Sequence, residues 1–340
     1  MTDLVETLTW LVDIPSVTGE EAGIRNAIAA RLHGMPQQAI ADSLVVGESG
    51  DAAVILAGHL DTVPLQGEIG ARLDGDRVHG LGATDMKGGL AVMIHLVEAL
   101  GVEKVACVFY SGEEGPLAGN QLTRVLDEAP WLKRSSAAVV LEPTDRAIEA
   151  GCQGVINAEV TFTGRPAHSA RPWLGDNAIT KAGGFLTALR ALEPEPHVVN
   201  GLEFLEVMSV TTARGGVARN VIPAEFVMNV NYRFSPDRTQ DQALGRLNEV
   251  CAAADRVQVI DLAPAGAVDT DHALFRALIE RTGAPLKGKQ AWTDVAQLSS
   301  AGIPAVNFGP GEPVLAHQPG ESIRVSDLEW VYESLLDILR

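Results

Sequence analysis

Short apolar runs at 52–57, 104–110 and 137–141, set among amphipathic helices, restrict this chain more than any other feature. A strand that is apolar on both sides must be shielded twice, so alternation of such strands with helices predicts an α/β sheet covered on both faces. The first run ends in Gly58-His59-Leu60-Asp61-Thr62-Val63-Pro64. Residues two apart in a strand share a face, so His59 and Asp61 can act together. An imidazole with a carboxylate beside it is a common way to build a metal ligand and the acid that orients it.

The periodicity predicts a helix over 3–14, with Leu4, Leu8, Leu11 and Val12 on one face, stopped before Pro15. A second helix starts near Glu20 and carries Ile24, Ile28 and Leu32, and a third runs from Gly88 to Leu100. At Gly151 the texture changes. Strands are expected at 155–162, 203–213, 225–234 and 257–262, with helices at 176–192 and 239–254. This βαββαβ order is that of a ferredoxin-like unit. Gly151-Cys152-Gln153-Gly154 and Ala263-Pro264-Ala265-Gly266 read as its hinges. Helix 271–282, strand 303–308 and helix 326–339 then return to the first texture. The expectation is a mixed-sheet domain built from 1–152 and 265–340, interrupted by an inserted α+β domain at 153–264.

With 340 residues and 46 % apolar content, the chain can form one large core or two ordinary ones. No apolar run approaches the roughly 18 to 20 residues of a membrane span. The net charge of −18 argues against nonspecific nucleic-acid or anionic-membrane binding. It does not exclude a small anionic substrate, because a few arginines inside a pocket override the global field. The N-terminal residues lack the basic and apolar regions of a secretory signal. Cys107, Cys152 and Cys251 lie far apart without a CxxC, which speaks against a thiolate metal site or a disulfide framework. A reduced, cytoplasmic protein is expected.

Four further segments set ionisable groups beside glycine-rich turns. In Gly80-Leu81-Gly82-Ala83-Thr84-Asp85-Met86-Lys87-Gly88-Gly89 the carboxylate of Asp85 precedes a helix; alone it reads sooner as a helix cap than as a ligand. In Tyr110-Ser111-Gly112-Glu113-Glu114-Gly115, two acids pinned between glycines can diverge, one toward a metal and one toward a water. Glu142 closes the apolar run 137–141. His317 lies in a loop after strand 303–308, where a histidine is more often exposed than ligating. Taken together, two histidines and several carboxylates lie just past strand ends, where open α/β sheets bind their ligands. Imidazole and carboxylate without thiolate suit Zn²⁺, Mn²⁺ or Co²⁺. One Asp between two His/Glu pairs is what a bridged dimetal site roughly 3.5 to 4 Å across requires.

The order GHLDTVP, GATDMKGG, YSGEEG, LEPT, GRPAHSA, NVIP and a late loop histidine resembles the M20 family of dizinc aminoacylases and carboxypeptidases over nearly the whole chain. The stretches Ile148–Gly154, Ala167–Ala178 and Trp292-Thr293-Asp294 are most similar to the actinobacterial type of the branch that removes succinate from N-succinyl-LL-2,6-diaminopimelate, on the route to lysine. The resemblance implies two Zn²⁺ per chain, with Co²⁺ or Mn²⁺ as substitutes. His59 and Glu142 would bind one and Glu114 and His317 the other; Asp85 would bridge them and Asp61 would orient His59. Glu113 would be the general base, passing a proton from water to the departing amine. His168, in the inserted domain, would hydrogen-bond the oxyanion and reach a partner subunit's site. The resemblance thus implies that the inserted domain is a lid and a homodimer interface. Arg233, Asn220 and Thr293 match the family's substrate contacts; a surface ion pair is the plainer reading of Arg233, and a satisfied loop group that of His168.

One departure concerns the first hinge, Gly151-Cys152-Gln153-Gly154, which carries no charge where other desuccinylases are expected to have a basic residue. Arg171, Arg214 or Arg219 could substitute. Two alternatives stand beside the leading reading. One is another hydrolase of the family, such as an N-acetylornithine deacetylase or a metallodipeptidase. The other is a non-catalytic binding protein of the same fold, which the presence of every ligand position and of Glu113 disfavours.

Overall fold

The computed structural model describes residues 3–48, 54–64 and 70–340; positions 52 and 53 of the first apolar run lie outside the described residues. Two compact units carry the chain: Met1–Gly151 with Gly266–Lys289 and Thr293–Arg340, and Cys152–Ala265 with Gln290–Trp292.

The larger unit begins with α1 (Asp3–Val12), α2 (Ala22–Arg31), β1 (Gln37–Ile40), β2 (Ser43–Val46) and β3 (Val54–His59). It continues with β4 (Arg72–Asp74), β5 (Arg77–His79), α3 (Gly88–Leu100), β6 (Val105–Tyr110), α4 (Leu122–Glu128), β7 (Ala137–Pro143) and β8 (Ile148–Ala150). The smaller unit contains β9 (Gly154–Thr163), α5 (Ala178–Lys181), α6 (Gly183–Arg190), β10 (Glu195–Val199), β11 (Leu202–Gly215), β12 (Glu225–Phe234), α7 (Gln240–Val250) and β13 (Arg256–Ala263). The larger unit then resumes with α8 (Ala273–Thr282), β14 (Leu286–Gly288), α9 (Val295–Ser300), β15 (Ala305–Gly309), β16 (Ser322–Arg324) and α10 (Val325–Leu339).

The main sheet has the order β1-β2-β6-β3-β7-β15-β8-β14. Its central strands β6, β3, β7 and β15 run parallel, whereas β2 meets β6, and β8 meets β15, antiparallel. Both faces are covered. Cys107 of β6 points to α3, where its Sγ donates to the Met93 carbonyl at 3.6 Å. Its neighbour Ala106 points the other way and crowds Gly47 together with the Trp131 ring. Every residue of β3, β6 and β7 is buried. Each fully buried Val, Leu or Ile side chain contributes roughly 1.5 to 3 kcal/mol, so these strands anchor the unit. Parallel alignment places the carboxyl ends of β3, β6, β7 and β15 along one edge, the ligand-binding edge of such sheets.

The smaller unit is one antiparallel sheet of order β10-β11-β12-β9-β13. The four strands β13-β9-β12-β11 with their helices form the ferredoxin-like pattern, and β10 adds an edge strand absent from the sequence expectation. Pro196, Glu195 and His197 disguise β10, yet such residues are tolerated where one side of a strand has no partner. The helix expected over 176–192 is broken at Ala182, just before Gly183-Gly184. One sheet face is apolar: Ile156, Val160, Phe162, Val230 and Phe234 pack with Phe185, Leu247 and Cys251. The opposite face is polar, with Asn229 and Asn231 both donating to Asn157 Oδ1 at 3.1 and 2.9 Å.

All three cysteines are free thiols and fully buried. No helix of the described residues is long and apolar enough to cross a membrane.

Candidate metal centre

His59 is the last residue of β3 and is buried. Its Nδ1 donates to the main-chain carbonyl of Asp61 at 2.9 Å, which leaves the Nε2 lone pair directed away from the strand. That nitrogen faces Asp85 Oδ1 at 3.1 Å and Glu142 Oε1 at 3.6 Å. The other oxygen of Asp85 lies 3.3 Å from His317 Nε2, which in turn meets Glu114 Oε1 at 2.8 Å. Asp85 therefore stands between two imidazoles, each with its own glutamate. This donor set, nitrogen and carboxylate oxygen without sulfur, fits a divalent cation on either side of Asp85.

The electrostatics of these groups support that fit. Burial, aided by Asp85, pushes Glu142 up to about 8, against the pull of His59 and Lys289. Burial likewise raises Glu113 well above the carboxylate range, with Glu142, Asp294 and Glu114 adding to the effect against His59. Hydrogen bonds to Asp85 and Glu114 hold His317 protonated up to about 10. So many buried acids beside two histidines are costly unless cations neutralise them. A metal bound here needs deprotonated ligands, so it must displace the His317 proton.

Two carboxylates outside the ligand set shape the loops. Asp61 Oδ1 accepts from Gly112 N at 3.0 Å and Glu113 N at 3.1 Å, and its Oδ2 accepts from Glu114 N at 3.0 Å. Thr18 donates to the same Oδ2 at 3.0 Å. Asp61 thus supports His59 through its carbonyl, and its carboxylate, 3.6 Å from His59 Nδ1, fixes the turn that aims Glu113 and Glu114. Glu321 does the same for the Asp85 turn, accepting from Gly82 N at 3.0 Å, Thr84 N at 2.8 Å and Asp85 N at 3.0 Å. Gly112 has φ of 82°, and a Cβ there would sit 2.3 Å from the Gly119 carbonyl, so the turn bearing the two acids requires glycine.

Nothing in the local sequence marks Glu321, because its partners are 236 or more residues away. Lys289 was equally invisible. It is buried behind Glu142, 2.8 Å from Glu149 Oε2 and 3.3 Å from the Pro143 carbonyl. Asp294, which the sequence offers only within the Trp292-Thr293-Asp294 stretch, is fully buried and accepts from Asn120 Nδ2 at 2.9 Å. Thr293 beside it is buried too.

The remaining candidates belong to the smaller unit. His168 is exposed, in a loop bridged to Val221, and its Nδ1 accepts from Ala170 N at 3.1 Å. Asn220 is its neighbour, with its carbonyl accepting from Ser169 N at 2.9 Å. Arg233 lies near the far end of β12, its Nε donating to Asn231 Oδ1 at 3.0 Å. Of the three arginines raised for the hinge, Arg214 is paired with Glu159 at 2.7 Å, whereas Arg171 shares the His168 turn through its N–H to the His168 carbonyl at 2.8 Å.

Residues 55–340 match the model of peptidase family M20/M25/M40. A Mycobacterium tuberculosis protein named as a succinyl-diaminopimelate desuccinylase is 38% identical over 353 residues, 99% of this chain and 97% of the relative. The succinyl-diaminopimelate desuccinylase of Corynebacterium glutamicum is 34% identical over 335 residues, 94% of this chain and 91% of the relative. Among solved structures, a tripeptidase of Staphylococcus aureus shares the fold with a TM-score of 0.81 at 20% identity, over 99% of this chain and 96% of that one. The imidazole and carboxylate donors at the strand ends agree with these likenesses: the chain belongs to peptidase family M20/M25/M40 and is a metal-dependent hydrolase of amide bonds.

Proposed function

We propose that this protein removes the succinyl group from N-succinyl-LL-2,6-diaminopimelate, yielding succinate and the free diamino acid. The observation that carries this reading is the near full-length likeness to two desuccinylases, at 38% and 34% identity. In this reading His59, Glu142 and Asp85 would hold one zinc, and Glu114, His317 and Asp85 a second. The bound metals supply a polarised amide carbonyl and an acidified water. Glu113, beside the ligands but bonded through its main chain to Asp61, takes the water's proton and delivers it to the leaving amine. Burial raises its proton affinity in the absence of cations, and two bound cations would lower it again, leaving the carboxylate free to accept the water's proton.

The smaller unit acts as lid and homodimer interface, and the exposed His168 donates to the oxyanion, reaching a partner's site. Arg233, Asn220 and Thr293 hold the carboxylate and backbone groups of the substrate. Of the three arginines raised for the hinge, Arg214 is engaged by Glu159, which leaves Arg171 or Arg219 to meet the succinyl carboxylate. A cytoplasmic location belongs to the same reading. Steady-state turnover of N-succinyl-LL-2,6-diaminopimelate beside N-acetylornithine, with Zn²⁺ or Co²⁺ supplied, tests it. The succinyl substrate should win in kcat/KM; a wide margin for the acetyl substrate overturns the assignment.

A further inference from the structure

The smaller unit contains a second meeting of imidazole and carboxylates that the proposed hydrolysis does not use. In the β10–β11 ladder Glu195 stands directly opposite Glu206, and His197 follows two residues along β10 on the same face. Like charges directly opposed across an antiparallel pair destabilise it unless a cation lies between them. His197 Nδ1 lies 3.1 Å from Asp237 Oδ2, which fixes the tautomer and leaves the Nε2 lone pair free. This buried nitrogen has no hydrogen-bond partner. It points between Glu195 Oε1 at 3.5 Å and Glu206 Oε2 at 3.7 Å.

Those spacings are wide enough to admit an ion, and Glu206 Oε2 also accepts from the Tyr232 hydroxyl at 2.9 Å. An imidazolium would contract onto one carboxylate to roughly 2.7 to 2.9 Å. Three donors around one ion, with bonds of roughly 2.0 to 2.1 Å at tetrahedral angles, stand about 3.3 to 3.4 Å apart. The pair of His197 with Asp237 is also the usual outer support of a ligating histidine. Arg238 and Arg246 approach the cluster without closing it. Arg238 Nε bonds Glu206 Oε1 at 2.7 Å, the oxygen facing away from His197, and its Nη2 is 3.6 Å from Glu195 Oε1. Arg246 reaches only to 4.0 Å from Glu195. Glu195, Glu206 and Asp237, with Glu249 3.8 Å from Arg246, outnumber the two guanidiniums. Glu195 and Glu206 also line a cleft with Leu192, Met208 and Tyr232, which offers a route from solvent and a water for the fourth position.

We propose that Glu195, His197 and Glu206 form a divalent-cation site of zinc-like chemistry that fastens the edge strand β10 to β11. Full-length protein stripped with chelator, returned to excess Zn²⁺ and passed over a desalting column is assayed for bound zinc by elemental analysis. Wild type should retain one zinc ion per chain more than His197→Gln, and one more than Glu195→Gln. Glu195 is half exposed, so the second variant keeps its fold and decides the matter if the first does not. Zn²⁺ should raise the melting temperature of wild type more than that of either variant. Amide turnover at saturating Zn²⁺ should stay within about twofold of wild type in both, since loss of an outlying ion leaves the transition state untouched. Equal zinc content in all three proteins overturns the proposal and leaves the cluster an ion-pair network without a metal.

Discussion

In the larger unit the parallel strands are buried on both faces, and their polar chemistry is driven to the strand ends, where it stays under cover. In the smaller unit one sheet face is apolar and the other carries Asn157, Asn229, Asn231 and the Arg214–Glu159 pair in reach of water. The same residue types are therefore expensive in one place and cheap in the other. Glu142 and Glu113 must be neutralised by cations or hold protons, whereas Glu159 needs only solvent and a neighbouring guanidinium. Chemical work accumulates where charge cannot escape, and substitutions should grade accordingly.

The largest expected effect is Glu113→Gln. In the proposed mechanism it removes a proton carrier and no ligand, so kcat should fall by about 10³- to 10⁴-fold while bound metal is unchanged. Near-normal turnover in that variant would transfer the base to another group. His168→Ala tests whether the exposed unit contributes to the reaction at all. A lost oxyanion donor lowers kcat by about 10²- to 10³-fold with zinc content intact, and loss of metal instead would refute the role.

Glu321→Gln touches neither substrate nor metal, yet it turns an amide N–H₂ against the turn that aims Asp85. Zinc affinity in a competition titration should drop about 10- to 100-fold, as for other groups that orient ligands. An unchanged affinity would show that the turn holds itself.

Acidity gives a further test. His317 is raised from 6.5 to about 10, so between those values the folded protein keeps a proton that the unfolded chain has released. In the proposed reading zinc binds through His317 and must expel that proton, so affinity should climb by about tenfold per pH unit through this window. Calorimetry at pH 8 in buffers of different ionisation heat should show at least one proton released per chain on zinc loading; no release refutes the protonated state. At the other extreme, Arg214→Ala on the open sheet face should shift stability by no more than about 0.5 kcal/mol in urea unfolding. A larger loss would mean that this face is not in contact with water.

Much of the larger unit was legible because its signals are contiguous. His59, Glu113-Glu114 and Glu142 each end an apolar run, and a run plus its terminal acid can be read without knowing the fold. The helix Gly88–Leu100 coincides with its sequence expectation for the same reason. Glu321 and Lys289 could not be found this way, because their importance comes from partners distant in the chain. The short strands β4, β5 and β16 pair three residues each, too few to establish a period. In the smaller unit β9 and β12 alternate cleanly, whereas β10 breaks the strand vocabulary with Glu195, Pro196 and His197. The Glu195–Glu206 opposition was hidden for a different reason: a ladder register is a property of two strands, and neither strand states it alone.

The buried cysteines have a practical consequence. Cys107 lies between β6 and α3 in the larger unit, and Cys251 closes α7 against the core of the smaller one. Burial pushes both thiols up, Cys251 to about 11, and the thiolate is the reactive form. Neither should react with alkylating reagents until its own unit opens. Pulsed alkylation read by mass spectrometry would then time the opening of each unit separately, in the natural chain and without an attached probe.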